Sequence, residues 1–118
     1  MSLERILQNL VVKVPQVFGA ILIDQEGETV SESCQGEPFD LRVLAAHCGI
    51  ILTRLREMQT SGDTGEIHDA LVTSRDGYII FGPVDREYAL VMHMGREGVV
   101  TQALYQFRQA ICELKRGF

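Results

Sequence analysis

The stretch "GAILIDQEGETVSES", residues 19–33, decides how this chain is read. It begins as an unbroken apolar run, passes through Asp-Gln-Glu-Gly, and returns polar. Residues 18–24, "FGAILID", read as a strand with Ala20 and Leu22 on one face and Ile21 and Ile23 on the other. Apolar side chains on both faces imply helices against both sides of the sheet. "QEG" makes the turn, and "ETVSES", residues 28–33, comes back as a more polar edge strand. The same stretch packs Asp24, Glu26, Glu28 and Glu32 into nine positions, so a metal or catalytic cluster has to be weighed against a hairpin tip. Glu28 and Glu32 lie about 13 Å apart along one strand face, too far to ligate one magnesium ion together. The spacing from Asp24 onward is not that of a calcium loop either. The expectation is a solvated hairpin that holds no metal, with a partner-facing acidic patch as the lesser reading.

Outward from the hairpin, the periodicities are clear. Leu3, Ile6, Leu7, Leu10 and Val11 recur at helical steps, with Ser2 as N-cap and Pro15 stopping the helix near Val14. Gly36 and Pro38 punctuate the loop after the hairpin. From Asp40, taken as N-cap, "LRVLAAHCGIILTRLREMQ" forms a second helix with a stripe of Leu41, Leu44, Ala45, Cys48, Leu52 and Leu55. Val43, Ile50, Ile51 and Met58 widen its apolar surface beyond that stripe. An isolated chain rarely leaves so much exposed, so self-association is expected.

"SGDTG", residues 61–65, reads as a loop, followed by strands over "EIHDALVTS" (66–74), "YIIFG" (78–82) and "YALVMHM" (88–94). "RDG" and "PVDRE" are the turns between them. A last helix carries Val99, Val100, Ala103, Leu104, Phe107, Ile111 and Leu114, with Lys115 and Arg116 in its final turn and Gly117 as C-cap. The order helix, two strands, helix, three strands, helix predicts an α/β (α+β) three-layer domain. It is a single unit over 1–118, with a five-stranded, mostly antiparallel sheet between helices on both faces.

Composition narrows the function classes. Residues 1–40 hold seven acidic and two basic residues, and the whole chain carries a net charge of -5. The eleven basic residues form no dense stripe, so neither nucleic acid nor an anionic membrane is an expected partner. Cys34, Cys48 and Cys112 are odd in number and far apart, which speaks against a disulfide framework and a closed zinc site and fits a reducing, cytoplasmic setting. No stretch has the length of a membrane span, and "MSLERILQNLVV" lacks the features of a signal peptide.

No catalytic constellation emerges. His47 falls mid-helix near the over-apolar face. His68 and His93 fall on strands, and His68 and Asp69 would point to opposite sheet faces. Cys48 and Cys112 are expected in the core, and Cys34 follows an acidic strand. "GREG", residues 95–98, opens the last helix without the glycine pattern or lysine of a phosphate loop. Arg54 and Arg56 project in different directions, so at most one could reach into a partner's site, and a solvated helix edge is the simpler expectation.

With those residues set out, the element order, "GAILIDQEGETVSES" after the first helix, "HDALVTSRDGYIIFGPVDREYALVMHM" and the amphipathic last helix together resemble the Roadblock/LC7 domain family over residues 3–116. Gly19 and Ala20 match its small residues opening the first strand, Asp24 the acid at the strand's end, and Gly27 the turn glycine. Longin and profilin-like folds share much of this architecture. The resemblance implies dimers in which third strands pair and second helices pack, here 66–74 and 41–58. It also implies binding to a Ras-like small GTPase, as in the bacterial MglB type, or assembly as in dynein light chains and lysosomal GTPase scaffolds. The residues placed at the dimer contact are Val43, His47, Ile50, Ile51, Arg54, Met58, Ile67, His68, Ala70 and Val72. The expected protein is a non-enzymatic homodimeric regulator or scaffold without a cofactor. A structural assembly subunit and an enzyme with a pocket at the dimer interface are the alternatives.

Overall fold

Apolar residues on both faces of one strand need cover on both sides, and the chain builds that cover around β1 (Val17–Ile23). The computed structural model describes residues 2–61 and 65–117, the side chains of Thr60 and Ser61 excepted. The loop expected over 61–65 lies partly outside the described residues. Around β1, the elements run α1 (Leu3–Lys13), β2 (Thr29–Cys34), α2 (Pro38–Ser61), β3 (Ala70–Ser74), β4 (Gly77–Pro83), β5 (Ala89–Gly95) and α3 (Val100–Arg116). One five-stranded sheet has the order β2-β1-β5-β4-β3, with every neighbouring pair antiparallel. The central ladder runs from Val17↔Met94 to Ile23↔Ala89, and β2 and β3 form the two edges.

The expected division of β1 holds. Ala20 and Leu22 face a core shared with Ile6, Leu7 and Leu10 of α1 and Phe107 and Leu114 of α3. Ile21 and Ile23 face a second core with Leu41, Ala45, Cys48 and Leu52 of α2. Two helices therefore cover one side of the sheet and a single helix covers the other. Gly19 shows how closely α2 approaches, since a Cβ there would sit 2.8 Å from Leu41 Cδ2 and 2.9 Å from Cys34 Cβ. The first helix starts as read, with the Ser2 hydroxyl accepting from the Arg5 N–H at 3.3 Å. It ends at Val14, ahead of Pro15. Gln16 then sits in the left-handed region at φ 73, and its carbonyl accepts the Gly95 N–H at 2.8 Å.

Several boundaries differ from the sequence reading. Helix α2 begins at Pro38, so Asp40 belongs to its first turn and is no N-cap. The Glu37 carboxylate accepts the Phe39 N–H at 3.2 Å, and proline suits the first helical turn because its missing donor is not needed there. Strand β3 starts at Ala70, four residues later than expected, so Ile67 and His68 precede the strand. Val99 is the N-cap of α3 in extended conformation, outside the helix stripe. Gly117 does close α3, donating its N–H to the Leu114 carbonyl at 3.0 Å.

Candidate interaction surface

Helix α2 turns about 100° per residue, so Val43, His47, Ile50, Ile51, Arg54 and Met58 share one arc on the side away from Leu41, Ala45 and Leu52. All six are exposed, Ile50 at 60% and Met58 at 64%. Phe39, at 61%, extends the apolar surface toward the helix start, where the sequence reading had not placed it. The flank of α2 nearer β2 is pinned by polar contacts. Arg42 holds Glu32 on β2 through both Nε, at 2.9 Å, and Nη2. That hydrogen-bonded carboxylate keeps the Arg42 guanidinium pKa above its ordinary value. Arg56, read as a solvated edge residue, instead donates to the carbonyls of Asp85 at 2.8 Å and Arg86 at 3.4 Å.

The opposite flank opens onto the sheet. Register places Val72 beside Ile79, Ile79 beside His93, and His93 beside Gly19, all on the α2 side. Ile79 and His93 are only half-buried, and Val72 on the edge strand is exposed. A register shift at Phe18 sets its ring edge-on to His93, 5.4 Å between centroids, and leaves it exposed too. Burial beside these apolar neighbours lowers the His93 pKa, because desolvation disfavours the imidazolium. Phe39, Phe18, Ile79 and His93 thus join the surface that sequence reasoning drew through α2 and β3. Phe18 was hidden because a regular strand would have turned it differently.

The other expected contact residues divide. Ala70 lies on β3 and, half-buried, packs with Ile67 against the α2-side core. His68 is exposed and lines a groove at the ends of α2 and α3, not the strand edge. Asp69, assigned to the sheet face opposite His68, is drawn to α3, where Arg108 donates to it at 2.9 and 3.4 Å. This contact raises the Arg108 pKa in turn.

The acidic hairpin is used for turn construction and pairing. Asp24 accepts the N–H groups of Glu26 and Glu28, each at 3.0 Å, across the turn at Gly27, whose φ of 81 suits a residue without a Cβ. Glu32 is engaged by Arg42, as above. Among the described residues no group of three or more His, Cys, Asp or Glu converges as metal ligands do. Cys48 is buried, and desolvation pushes its thiol up to about 11. Cys112 corrects its reading as a core residue, being exposed on α3. The Gly95–Gly98 segment is a turn, with the Gly98 N–H on the Gly95 carbonyl at 3.1 Å. No helix among the described residues is long and apolar enough to cross a membrane.

Comparison with known proteins follows the same outline. The family model of the Roadblock/LC7 domain matches residues 3–93. A Roadblock/LC7 domain from Streptomyces avermitilis superposes with a TM-score of 0.87 at 19% identity, covering 98% of this chain and 97% of that one. Myxococcus xanthus MglB superposes at 0.85 with 15% identity, over 97% of this chain and 92% of its own. Profilin II of Acanthamoeba castellanii reaches 0.68 at 13% identity, over 99% and 100% of the two chains. No curated protein matches by sequence.

Proposed function

Taking as premise that the chain belongs to the Roadblock/LC7 domain family, we propose that it is a homodimeric regulatory or scaffolding protein binding a Ras-like small GTPase and modulating its nucleotide cycle. The observation that carries the reading is the set of exposed apolar side chains on the outer arc of α2 together with the open edge strand β3. A second copy would cover α2 with α2 and extend the sheet through β3, whose unpaired backbone groups are a ready template for strand addition. Val43, His47, Ile50, Ile51, Arg54 and Met58 form the helical part of that contact. Ala70 and Val72 form the strand part, with Ile67 and His68 at its margin. The GTPase rests on what the family resemblance implies.

In this reading the protein needs no cofactor and performs no hydrolysis itself, consistent with a sequence lacking a phosphate loop. Its free thiols fit a reducing cytoplasm. Sedimentation at micromolar protein should give twice the 13.2 kDa chain mass. A tagged protein should retain a small GTPase from its native lysate and change that GTPase's hydrolysis rate. A clean monomer would remove the dimer. Retention of other proteins without any GTPase would turn the reading to an assembly subunit.

A further inference from the structure

Away from the outer arc of α2, a groove of about 1060 Å³ opens where residues 66–69, the β4–β5 turn and the last turns of α2 and α3 meet. A hollow beside Asp24 and Gln25, by contrast, has about 320 Å³. Sites for small organic molecules run from about 300 to 1,000 Å³ and combine an apolar wall with a few placed polar groups. Ile67, Val84 and Ile111 supply the apolar wall here, Val84 and Ile111 being buried.

The charges around it are unevenly committed. Of the three acids on the wall, Asp69 is held by Arg108, and Asp85 accepts the N–H groups of Glu87 and Tyr88 at 2.8 and 2.9 Å. Because those donors are neutral, Asp85 keeps its negative charge, and so does Glu66. Four cations line the groove against these three acids. Arg108 is fixed by its ion pair, and Arg56 is fixed by neutral carbonyls and has no carboxylate within ion-pair distance among the described residues. Arg86 and Lys115 have no carboxylate within ion-pair distance among the described residues. In a chain of net charge -5, this is a local reversal of sign.

The geometry points to a binding site for a small anionic amphiphile, its apolar body on Ile67, Val84 and Ile111 and its carboxylate or phosphate on Arg86 and Lys115. Arg56 and Arg108, already immobilised, add attraction without further ordering of their side chains. The ligand is a free molecule, because the chain's overall negative charge opposes approach to an anionic bilayer. The assignment does not depend on the proposed GTPase, and it shares only Ile67 and His68 with the margin of the proposed dimer contact.

Titration of isotope-labelled protein with octanoate, followed by NMR, tests it. Octanoate should give saturable shifts over residues 66–69, 83–86 and 108–115. Octanamide, of matched length but neutral, and inorganic phosphate, charged but without a chain, should each bind at least about 10-fold more weakly. Arg86→Glu with Lys115→Glu, both at exposed positions, should weaken octanoate by a similar factor, whereas Ile50→Asp with Ile51→Asp should leave it unchanged. Equal binding of octanamide by the unaltered protein overturns the assignment without recourse to any variant. So would shifts confined to the α2 arc, or none with millimolar octanoate. Co-sedimentation with phosphatidylglycerol vesicles that disappears in the charge-reversed variant would overturn the free-molecule assignment.

Discussion

On one face of the sheet, α1 and α3 close over Ala20, Leu22, Ile80 and Met92 and leave each at 0% exposure, whereas on the other α2 lies chiefly over β1 and β5. The second face leaves Ile79 and His93 half-buried and Val72 exposed, and the helix above it carries Ile50, Ile51 and Met58 outward. The first face is completed within the chain. In the proposed dimer a second copy covers the second face, so its stability should depend on protein concentration.

Phe107→Ala breaks the closed face and should have the largest effect. It removes a fully buried ring and should lower the unfolding free energy by about 3–5 kcal/mol, read by denaturant titration, with the same loss at every protein concentration. A loss below about 1 kcal/mol would mean that this face is less tightly closed than its burial indicates.

The open face responds differently. Ile50→Asp with Ile51→Asp should weaken self-association by at least about 100-fold, since two charges would be buried at the proposed contact. Unfolding of the separated monomer should change by only about 0.5 kcal/mol, because both side chains are exposed in the single chain. Sedimentation across a concentration series checks the first value and dilute denaturation the second. A variant that still forms dimers would remove the α2 arc from the interface.

The smallest effect concerns His93. Burial lowers its folded-state pKa, so the unfolded chain takes up the proton first. Stability contributed by the neutral ring is complete above the ordinary histidine value, falls as the pH drops below it, and levels off below the folded pKa. Screening at a half-exposed ring keeps the change modest. His93→Gln should flatten this slope in thermal melts between pH 7.5 and 5. If a second copy covers the row, the slope of the unaltered protein should be steeper at high concentration than at low.

The legible parts of the fold were those governed by local pattern. Ile21 and Ile23 against Ala20 and Leu22 disclosed a strand covered on both sides, and Ser2 and Pro15 bracketed α1. Alternation could not show where β3 begins, because Asp69 is diverted by Arg108, 39 residues away. Pro38 was read as loop punctuation although proline is also at home in a first helical turn. Cys112 could have been placed correctly. It follows buried Ile111 by one residue, a rotation of about 100° that carries it away from the Phe107–Leu114 face. The α2 half of the proposed surface was visible as an over-apolar helix. The His93–Ile79–Val72 row needed the register, and the groove needed four separate elements brought together.

The position of the β1–β5 ladder also bears on how the chain folds. The α1–β1–β2 unit and the β3–β4–β5 meander are each built from neighbours in sequence, yet they join through pairs such as Leu22 and Leu90, 68 residues apart. Closing that loop costs conformational entropy before any of the ladder's hydrogen bonds form, whereas the hairpins on either side close cheaply. Neither local unit can complete a core alone, because Ala20 and Leu22 of the first share theirs with Leu90 and Met92 of the second and with Phe107 of α3. Meeting of the two units is therefore the expected slow step of folding, and a chain interrupted before β5 is left with β1 unpaired along one edge.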